Sequence, residues 1–182
     1  DIADLIYDSR KVTENTAFFC MTGAKTDGHE YAEAAIELGA SAIIVEYELP
    51  LPKNITQIQV KSTRVALAEA SIVYFGNPAS RMKMIGITGT KGKTSTSFMI
   101  KDIIEKSGHA CGIIGTIGAM WKDKKVKTGL TTPESYVIHS LLSDMADDGC
   151  EYVVMEVSSQ AIMLNRTAGI MFDIGIFTNF SP

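Results

Sequence analysis

Residues 86–95 read Gly-Ile-Thr-Gly-Thr-Lys-Gly-Lys-Thr-Ser and decide the fold of the second half of the chain. The apolar run Met84–Thr88 predicts a buried strand before the glycines, and helical spacing from about Thr94 to Ser107 predicts a helix after them. Glycines let the backbone turn closely around phosphate oxygens, and a helix N-terminus presents free N–H groups to them. The order strand, glycine loop and helix therefore predicts a phosphate-binding loop.

The chemistry of this loop suits the phosphates of ATP together with Mg²⁺. Lys93 offers a mobile cation for the β and γ phosphates and is the predicted catalytic residue, while the Thr94 hydroxyl is a candidate Mg²⁺ ligand. The spacing departs from the usual pattern, because Ile87 stands where the first glycine would be. The alternative is a surface turn rich in glycine and lysine. The residues predicted to bind ATP are Gly89, Thr90, Lys91, Gly92, Lys93, Thr94 and Ser95.

Strands and helices alternate through the rest of residues 81–182, which favours a doubly wound parallel sheet of P-loop type. Two apolar segments around the charged residues 122–125 predict a β-hairpin insertion with arms Ile117–Trp121 and Val126–Leu130. Thr132 is the expected cap of a helix that starts at Pro133. The other predicted strands, apolar enough for a buried parallel sheet, are Cys111–Gly115, Tyr152–Glu156 and Asp173–Thr178.

Residues 1–80 predict a separate, small α/β domain. Thr16–Met21, Ser41–Glu46 and Gln57–Val60 are the expected strands, and helical spacing follows the turn-rich segment that ends at Gly28. Gly76-Asn77-Pro78 breaks the helix predicted before it, so the domain boundary is placed just after this break.

Composition indicates an ordinary globular protein rather than a nucleic-acid-binding or membrane protein. The 182 residues are 46% hydrophobic and 21% charged, with a net charge of −4 that disfavours a polyanion as the main partner. No apolar run reaches the roughly 20 residues of a membrane span. Three widely spaced cysteines without a CxxC pair fit a reducing cytoplasm. We expect a cytoplasmic monomer, and the abrupt ends suggest a segment of a longer protein.

Glu156 ends a predicted strand, where a carboxylate faces the usual ligand crevice of an α/β sheet. Burial without a partner would be costly, so a cation is expected beside it. A metal ion and a structural salt bridge are the two alternatives.

The ordered set of motifs resembles the Mur ligases, ATP-dependent ligases of bacterial cell-wall synthesis. The loop from Gly89 has the form GT-x-GK-T, which is similar to that of the Mur ligases and their folylpolyglutamate synthetase relatives. Asp8-Ser9-Arg10 and the Asp-Gly-His at 27–29 resemble the UDP-binding domain shared by the third- and fourth-residue-adding enzymes. Leu-Thr-Thr-Pro-Glu at 130–134 and Glu-Val-Ser-Ser-Gln-Ala at 156–161 resemble the third-residue enzymes specifically.

The resemblance implies further site residues. Glu156 would bind Mg²⁺ together with Thr94. Substrate contacts would come from the uridine-nucleotide residues Tyr7, Ser9, Ala24, Lys25 and Thr26, and from the muramoyl-peptide residues Thr131, Thr132, Ser158 and Arg166. Simpler alternatives are a polar turn at Ser9, a helix cap at Thr132 or Ser158, and a solvated helix-end cation at Arg166.

The implied reaction joins an amino acid to UDP-N-acetylmuramoyl-L-alanyl-D-glutamate through an acyl phosphate formed with ATP. A second metal ligand, a carbamylated lysine and an amino-acid-binding domain would follow outside residues 1–182, so this chain alone is not expected to complete turnover. Three alternatives remain: a fourth-residue ligase, a non-catalytic nucleotide-sugar-binding module, and a generic P-loop kinase or GTPase that would leave the first 80 residues unexplained.

Overall fold

Two separate sheets form in different parts of the chain, one entirely parallel and one mostly parallel. The computed structural model describes residues 2–23 and 26–181, and the chain divides into two units, residues 1–70 and 71–182. The boundary expected after residue 80 stays a prediction. Each unit contains its own sheet and its own apolar core.

The first unit has a four-stranded sheet in which every neighbouring pair is parallel. Helix α1 packs against the third strand, and the core combines Phe18 and Ile43 from the sheet with Ala32 and Ala35 from the helix. The first strand is absent from the sequence prediction because three residues with one buried side chain show no usable periodicity. In chain order the elements are β1 (Asp4–Ile6), β2 (Thr16–Phe19), α1 (Ala32–Glu37), β3 (Ala40–Val45) and β4 (Thr56–Gln59). Helix α2 (Thr63–Tyr74) follows and spans the division between the units after residue 70.

The second unit has a six-stranded sheet, of which four strands are parallel and two form an antiparallel hairpin at one edge. Its strand order is β10-β5-β9-β6-β7-β8. The elements are β5 (Lys83–Thr88), α3 (Lys93–Lys106), β6 (Cys111–Gly115), β7 (Gly118–Trp121), β8 (Lys124–Val126), α4 (Ser135–Asp147), β9 (Tyr152–Glu156), α5 (Ser159–Met163) and β10 (Ile174–Phe177).

Helices cover both faces of this second sheet, as the doubly wound prediction requires. Side chains alternate across each strand, so Ile85 and Val154 pack with Ile104 of α3, whereas Val153 packs with Leu142 of α4 on the opposite face. Fully burying an aliphatic side chain of this size contributes about 1.5–3 kcal/mol. The predicted α/β class and the parallel sheet are confirmed.

In this unit one predicted strand is present but not buried, and one predicted hairpin arm has other bounds. The strand within Asp173–Thr178 was expected to be buried, but β10 is an edge strand, and Ile174 and Phe177 are 53% and 65% exposed. The second hairpin arm is Lys124–Val126 rather than Val126–Leu130, because Trp121 pairs directly with Lys124 across a two-residue turn. Lysines tolerate this position because β8 is also an edge strand.

The predicted helix start at Pro133 is also wrong. Helix α4 begins at Ser135, and Glu134 precedes it as the N-cap residue without a side-chain cap bond. The Thr132 hydroxyl does not cap the helix but donates to the carbonyl oxygen of Glu156 at 2.8 Å. A bond to a residue distant in sequence has replaced the local one.

The cysteines behave as packing residues. Cys20, Cys111 and Cys150 are free and buried, and burial raises the pKa of the Cys20 thiol to about 12. Over residues 2–23 and 26–181, no helix combines the length and apolar character that crossing a membrane requires. The cytoplasmic location and the monomeric state stay predictions.

Candidate functional site

A glycine-containing loop joins β5 to α3 as predicted, and its binding of phosphate stays a prediction. Strand β5 ends at Thr88, and α3 begins at Lys93 directly after Gly92, which has a φ of +84°. No side chain in the described part of the chain caps this helix, so its first N–H groups have no capping acceptor there. A helix end of this kind attracts anions through both its N–H groups and its dipole.

The Lys93 ammonium group lies over the loop. Its Nζ donates to the carbonyl oxygen of Gly89 at 2.6 Å and approaches that of Thr90 at 3.4 Å. Both acceptors are neutral, so the positive charge of Lys93 remains available to a polyanion that enters the cleft.

Glu156 ends β9 beside the loop, and its register partner on β5 is Ile87. The residue is 1% exposed. Its Oε2 accepts hydrogen bonds from the hydroxyls of Thr94 and Thr116, each at 3.0 Å, and its Oε1 accepts from the backbone N–H of Thr116 at 3.1 Å. Among the ion pairs of residues 2–23 and 26–181, none involves Glu156. Within these residues, the alternative of a structural salt bridge at Glu156 is therefore wrong.

The sequence analysis did not identify Thr116 as a site residue. It directly follows β6, a neighbour of β9, and therefore lies at the same edge of the sheet as Glu156. A hydroxyl residue after a buried parallel strand was the available signal. Its role became visible only once β6 and β9 were known to be adjacent.

The chemistry of this cluster fits Mg²⁺. The carboxylate of Glu156 and the hydroxyl of Thr94 are hard oxygen ligands, and the carboxylate is buried without a compensating cation from the described residues. No group of three or more His, Cys, Asp or Glu side chains suited to a metal occurs in the described ranges. A single protein carboxylate is enough for a Mg²⁺ site, because this ion usually keeps several water ligands and also binds the phosphates of a substrate.

The predicted muramoyl-peptide residues gather near this cluster. Thr131 and Ser158 line the same cleft as the loop, which has a volume of about 240 Å³. Thr132 is 1% exposed, and its hydroxyl also accepts the N–H of Ser158 at 3.0 Å. Ser158 in turn caps α5 by accepting the N–H of Ala161 at 3.2 Å. The structure thus brings these residues together, while their contact with substrate stays a prediction.

Arg166 is held by protein groups. Its guanidinium pairs with the Glu134 carboxylate at 2.9 Å and donates to the carbonyl oxygen of Thr132 at 3.1 Å. Only 9% of the residue is exposed, so the alternative of a solvated helix-end cation is wrong. The pair fastens the segment before α4 to the end of α5. A substrate contact by Arg166 stays a prediction.

A second cleft, of about 490 Å³, lies in the first unit. Tyr7, Ser9 and Thr26 line it, so the structure brings together these three predicted uridine-site residues. Ala24 and Lys25 lie outside the described residues. Beside Ser9, the Asp8 carboxylate accepts both the backbone N–H and the guanidinium of Arg10, and this guanidinium bond lowers the pKa of Asp8.

A polar cluster forms around Asp27 and His29 of the Asp-Gly-His motif, next in sequence to the cleft-lining residues Thr26 and Gly28. The Asp27 carboxylate accepts the backbone N–H of His29 at 3.0 Å, its ring Nδ1–H at 2.6 Å and the Tyr47 hydroxyl at 2.9 Å. The His29 Nε2 accepts the N–H of Glu46 at 2.9 Å, which makes Nδ1 the protonated nitrogen. These bonds, the backbone bond to His29 first, lower the pKa of Asp27 to about 2.

The fold and the loop together define a P-loop-type α/β unit preceded by a smaller parallel α/β unit. A family model described as Mur ligase middle domain matches residues 87–182, and one described as Mur ligase family, catalytic domain, matches residues 1–83. The chain belongs to the Mur ligase family. The resemblance that the motifs predicted is confirmed.

Two similar proteins have the name UDP-N-acetylmuramoyl-L-alanyl-D-glutamate–2,6-diaminopimelate ligase. The protein from Clostridium perfringens is 48% identical over 180 residues, which are 99% of this chain and 37% of that protein. The protein from Clostridioides difficile is 42% identical over 182 residues, which are 100% of this chain and 37% of that protein. This chain therefore spans 37% of the length of these curated relatives.

Solved structures agree with the fold. A solved structure of a ligase with the same name superposes on this chain with a TM-score of 0.86 at 28% identity. The superposition covers 99% of this chain and 37% of that chain. The Thermotoga maritima MurF ligase, solved in complex with ADP, gives a TM-score of 0.53 at 23% identity over 86% of this chain and 32% of its own. The second likeness shows the fold alone.

Proposed function

We propose that this chain carries the nucleotide-sugar-binding and ATP-binding parts of a ligase that adds the third amino acid to UDP-N-acetylmuramoyl-L-alanyl-D-glutamate. One observation carries the proposal: a single cleft is lined by the loop residues Lys93 and Thr94, by the carboxylate of Glu156, and by Thr131 and Ser158 of the third-residue motifs. The names of the relatives, at 41–48% identity across the chain, support the same activity.

The reaction proposed for the whole enzyme requires two anions to meet. A side-chain carboxylate oxygen of D-glutamate attacks the γ-phosphorus of ATP, the bond to the bridging oxygen breaks, and ADP leaves. The amine of the incoming amino acid then attacks the acyl carbon, loses a proton and displaces phosphate. Lys93 and the N-terminus of α3 reduce the repulsion between the carboxylate and the triphosphate, so catalysis rests on positioning and charge neutralisation.

Thr94 and Glu156 would hold the magnesium ion in this scheme. When bound, Mg²⁺ adds positive charge at the phosphate oxygens. The protein contribution is to hold the Glu156 carboxylate in one orientation through the donors of Thr94 and Thr116. A carboxylate fixed in this way loses little conformational freedom on binding a cation.

Calorimetric titration of the chain with ADP and Mg²⁺, and separately with UDP, tests the proposal. We expect both nucleotides to bind, and K93A to weaken ADP binding by about tenfold or more, since a charge-assisted bond is worth about 1.5–3 kcal/mol. UDP binding should remain unchanged, because Lys93 lies in the second unit and the predicted uridine site in the first. Failure of the unmodified chain to bind ADP would overturn the ATP-binding part of the proposal.

The substrate assignment needs its own test. Titration with UDP-N-acetylmuramoyl-dipeptide and with the corresponding tripeptide separates a third-residue from a fourth-residue ligase. We expect the dipeptide to bind more tightly. Stronger binding of the tripeptide would favour the fourth-residue alternative.

A further inference from the structure

Asn179, beyond the end of β10, binds both backbone groups of Lys91 in the phosphate loop. Its side-chain Oδ1 accepts the N–H of Lys91 at 3.1 Å, and its Nδ2 donates to the carbonyl oxygen of Lys91 at 3.0 Å. The two residues are 88 positions apart in sequence. A planar amide that satisfies a donor and an acceptor of one residue fixes both the position and the orientation of that stretch of backbone.

Neighbouring groups fasten the same part of the loop. The carbonyl oxygen of Asn179 accepts the N–H of Thr90 at 2.9 Å, and the N–H of Ser181 donates to the Thr90 hydroxyl at 3.1 Å. The Thr178 hydroxyl lies 2.8 Å from the carbonyl oxygen of Lys91. Gly89 packs so closely against Thr178 and Asn179 that an added Cβ would collide with both. Only glycine permits this approach.

These bonds divide the loop into two parts with different roles. The N–H groups of Thr90 and Lys91 donate to Asn179, so they are not directed at a ligand in the cleft. The first helical bond of the following turn runs from the N–H of Thr96 to the carbonyl oxygen of Gly92. The N–H groups at the start of α3, those of Lys93, Thr94 and Ser95, therefore remain for phosphate.

We propose that Asn179 is a positioning residue for nucleotide binding: it anchors Gly89–Lys91 so that the segment 92–95 presents its N–H groups to phosphate. The inference rests on the proposed function, because it concerns the same nucleotide site. It assigns phosphate recognition to the second half of the loop and a framework role to the first half. The side chain of Asn179 acts through the backbone of Lys91, and its carbonyl oxygen holds the N–H of Thr90.

Two measurements on the 182-residue chain test this role. Amide hydrogen exchange of Thr90 and Lys91, followed by NMR without nucleotide, reports the anchor directly, and titration with ADP and Mg²⁺ reports its consequence. The variants are N179A, which removes both side-chain bonds, and N179D, which keeps an acceptor for the Lys91 N–H but loses the donor. F180A is the matched control, because Phe180 is adjacent and 85% exposed.

We expect exchange at Lys91 to accelerate by roughly tenfold or more in N179A, with an increase of about tenfold in the Kd for ADP. In N179D the Lys91 amide should stay protected while ADP binding still weakens, because the Lys91 carbonyl oxygen has lost its amide donor. F180A should match the unmodified chain in both measurements. Should N179A unfold, N179D decides the question at high salt, which screens the repulsion between the added carboxylate and ADP. A loss of ADP affinity that persists at high salt supports the anchor, and a loss that disappears there would overturn it.

Unchanged exchange at Lys91 and unchanged ADP affinity in a folded N179A would overturn the inference. Faster exchange without a loss of ADP affinity would also overturn it, since the anchor would then not serve nucleotide binding. Failure of the proposed function looks different: the unmodified chain would not bind ADP at all, although the Lys91 amide would still be protected by Asn179.

Discussion

The hydroxyl of Thr94 lies 3.0 Å from the Oε2 atom of Glu156, although 62 residues separate them. Thr94 stands in the first turn of α3, and Glu156 ends β9, which is the parallel neighbour of β5. Adjacent parallel strands bring their carboxyl ends to one edge, so the helix after β5 and the last residue of β9 meet there. This relationship joins the phosphate loop to the predicted metal ligand.

Loss of the Thr116 hydroxyl should weaken Mg²⁺ binding without loss of the fold. T116V keeps the shape of the side chain and the backbone bond to Glu156 at 3.1 Å but removes the hydroxyl bond at 3.0 Å. Removing a group that orients a metal ligand typically costs 10–100-fold in metal affinity, and we expect about tenfold here. The measurement is the Mg²⁺ concentration that half-saturates the enhancement of ADP binding.

The matched control for this variant is T128V, because the Thr128 hydroxyl donates to the carbonyl oxygen of Leu130 and lies outside the cleft lining. It should leave the Mg²⁺ requirement unchanged. An identical Mg²⁺ requirement in T116V and the unmodified chain would contradict the orienting role of Thr116.

A methyl group at Gly115 should displace the Glu156 carboxylate. An added Cβ would collide with Oε1 of Glu156 and would lie 2.7 Å from its Cδ and 2.9 Å from its Cγ. We expect G115A to cost about 1–3 kcal/mol in the free energy of unfolding and to abolish the Mg²⁺ dependence of ADP binding. Urea unfolding followed by the fluorescence of Trp121, the single tryptophan and a member of the same unit, measures the stability.

G175A serves as the comparison for G115A, because no atom of the residues that the structure describes lies within 4 Å of a Cβ added at Gly175. This surface change should alter stability by no more than about 0.5 kcal/mol. Equal effects of the two substitutions would show that crowding at Glu156 is not the cause.

His139 should make the second unit sensitive to acid. Its ring is fully buried in α4, and neither nitrogen has a hydrogen-bond partner in the described structure. Burial lowers the pKa of His139 from 6.5 to about 4. In the unfolded chain His139 is protonated as the pH falls below 6.5, whereas in the folded chain it stays neutral until about pH 4. The free energy of unfolding therefore decreases across this window as the pH falls.

Replacing His139 with leucine should remove this acid sensitivity, which amounts to on the order of 3 kcal/mol between the two pKa values. Stability at pH 7 should also rise, because two unsatisfied buried nitrogens are lost. Urea unfolding at pH 7, 5.5 and 4.5, followed by Trp121 fluorescence, measures both effects. H109Q is the control, since His109 is 45% exposed. Equal pH dependence of H139L and the unmodified chain would refute the prediction.

Asp27 should stabilise the first unit as a cap. D27A removes the acceptor of the His29 backbone N–H and should cost about 1–2 kcal/mol, whereas D27N retains an acceptor and should cost less. Because the pKa of Asp27 is lowered from 3.8 to about 2, its stabilisation is complete above pH 3.8 and disappears as the pH falls through about 2. Thermal unfolding followed by circular dichroism at pH 7 and pH 2.5 measures the difference. A D27A chain as stable as D27N at pH 7 would contradict the capping role.

Local sequence signals predicted the elements of the site well where the determinants are neighbours in sequence. The strand, glycine loop and helix at 84–107 depend on adjacent residues, and the structure has them within one residue of the predicted bounds. Thr132 shows the opposite case, because its local signal indicated a cap while its hydroxyl bonds to the backbone of β9. A tertiary partner replaced the local one, and the N-cap residue of α4 makes no side-chain cap bond.

By itself, the sequence determined the alternation of strands and helices, the glycine loop and the family. Periodicity, glycine placement and motif order depend on residues that are close in sequence, so they can be identified without the structure. The tertiary structure alone decided which strand ends meet, and therefore that Thr116 orients Glu156 and that Asn179 anchors Lys91. The physical reason is sheet order: β9 inserts between β5 and β6, and β10 joins the other side of β5. Hydrogen bonding between distant strands sets that order, and no local pattern encodes it.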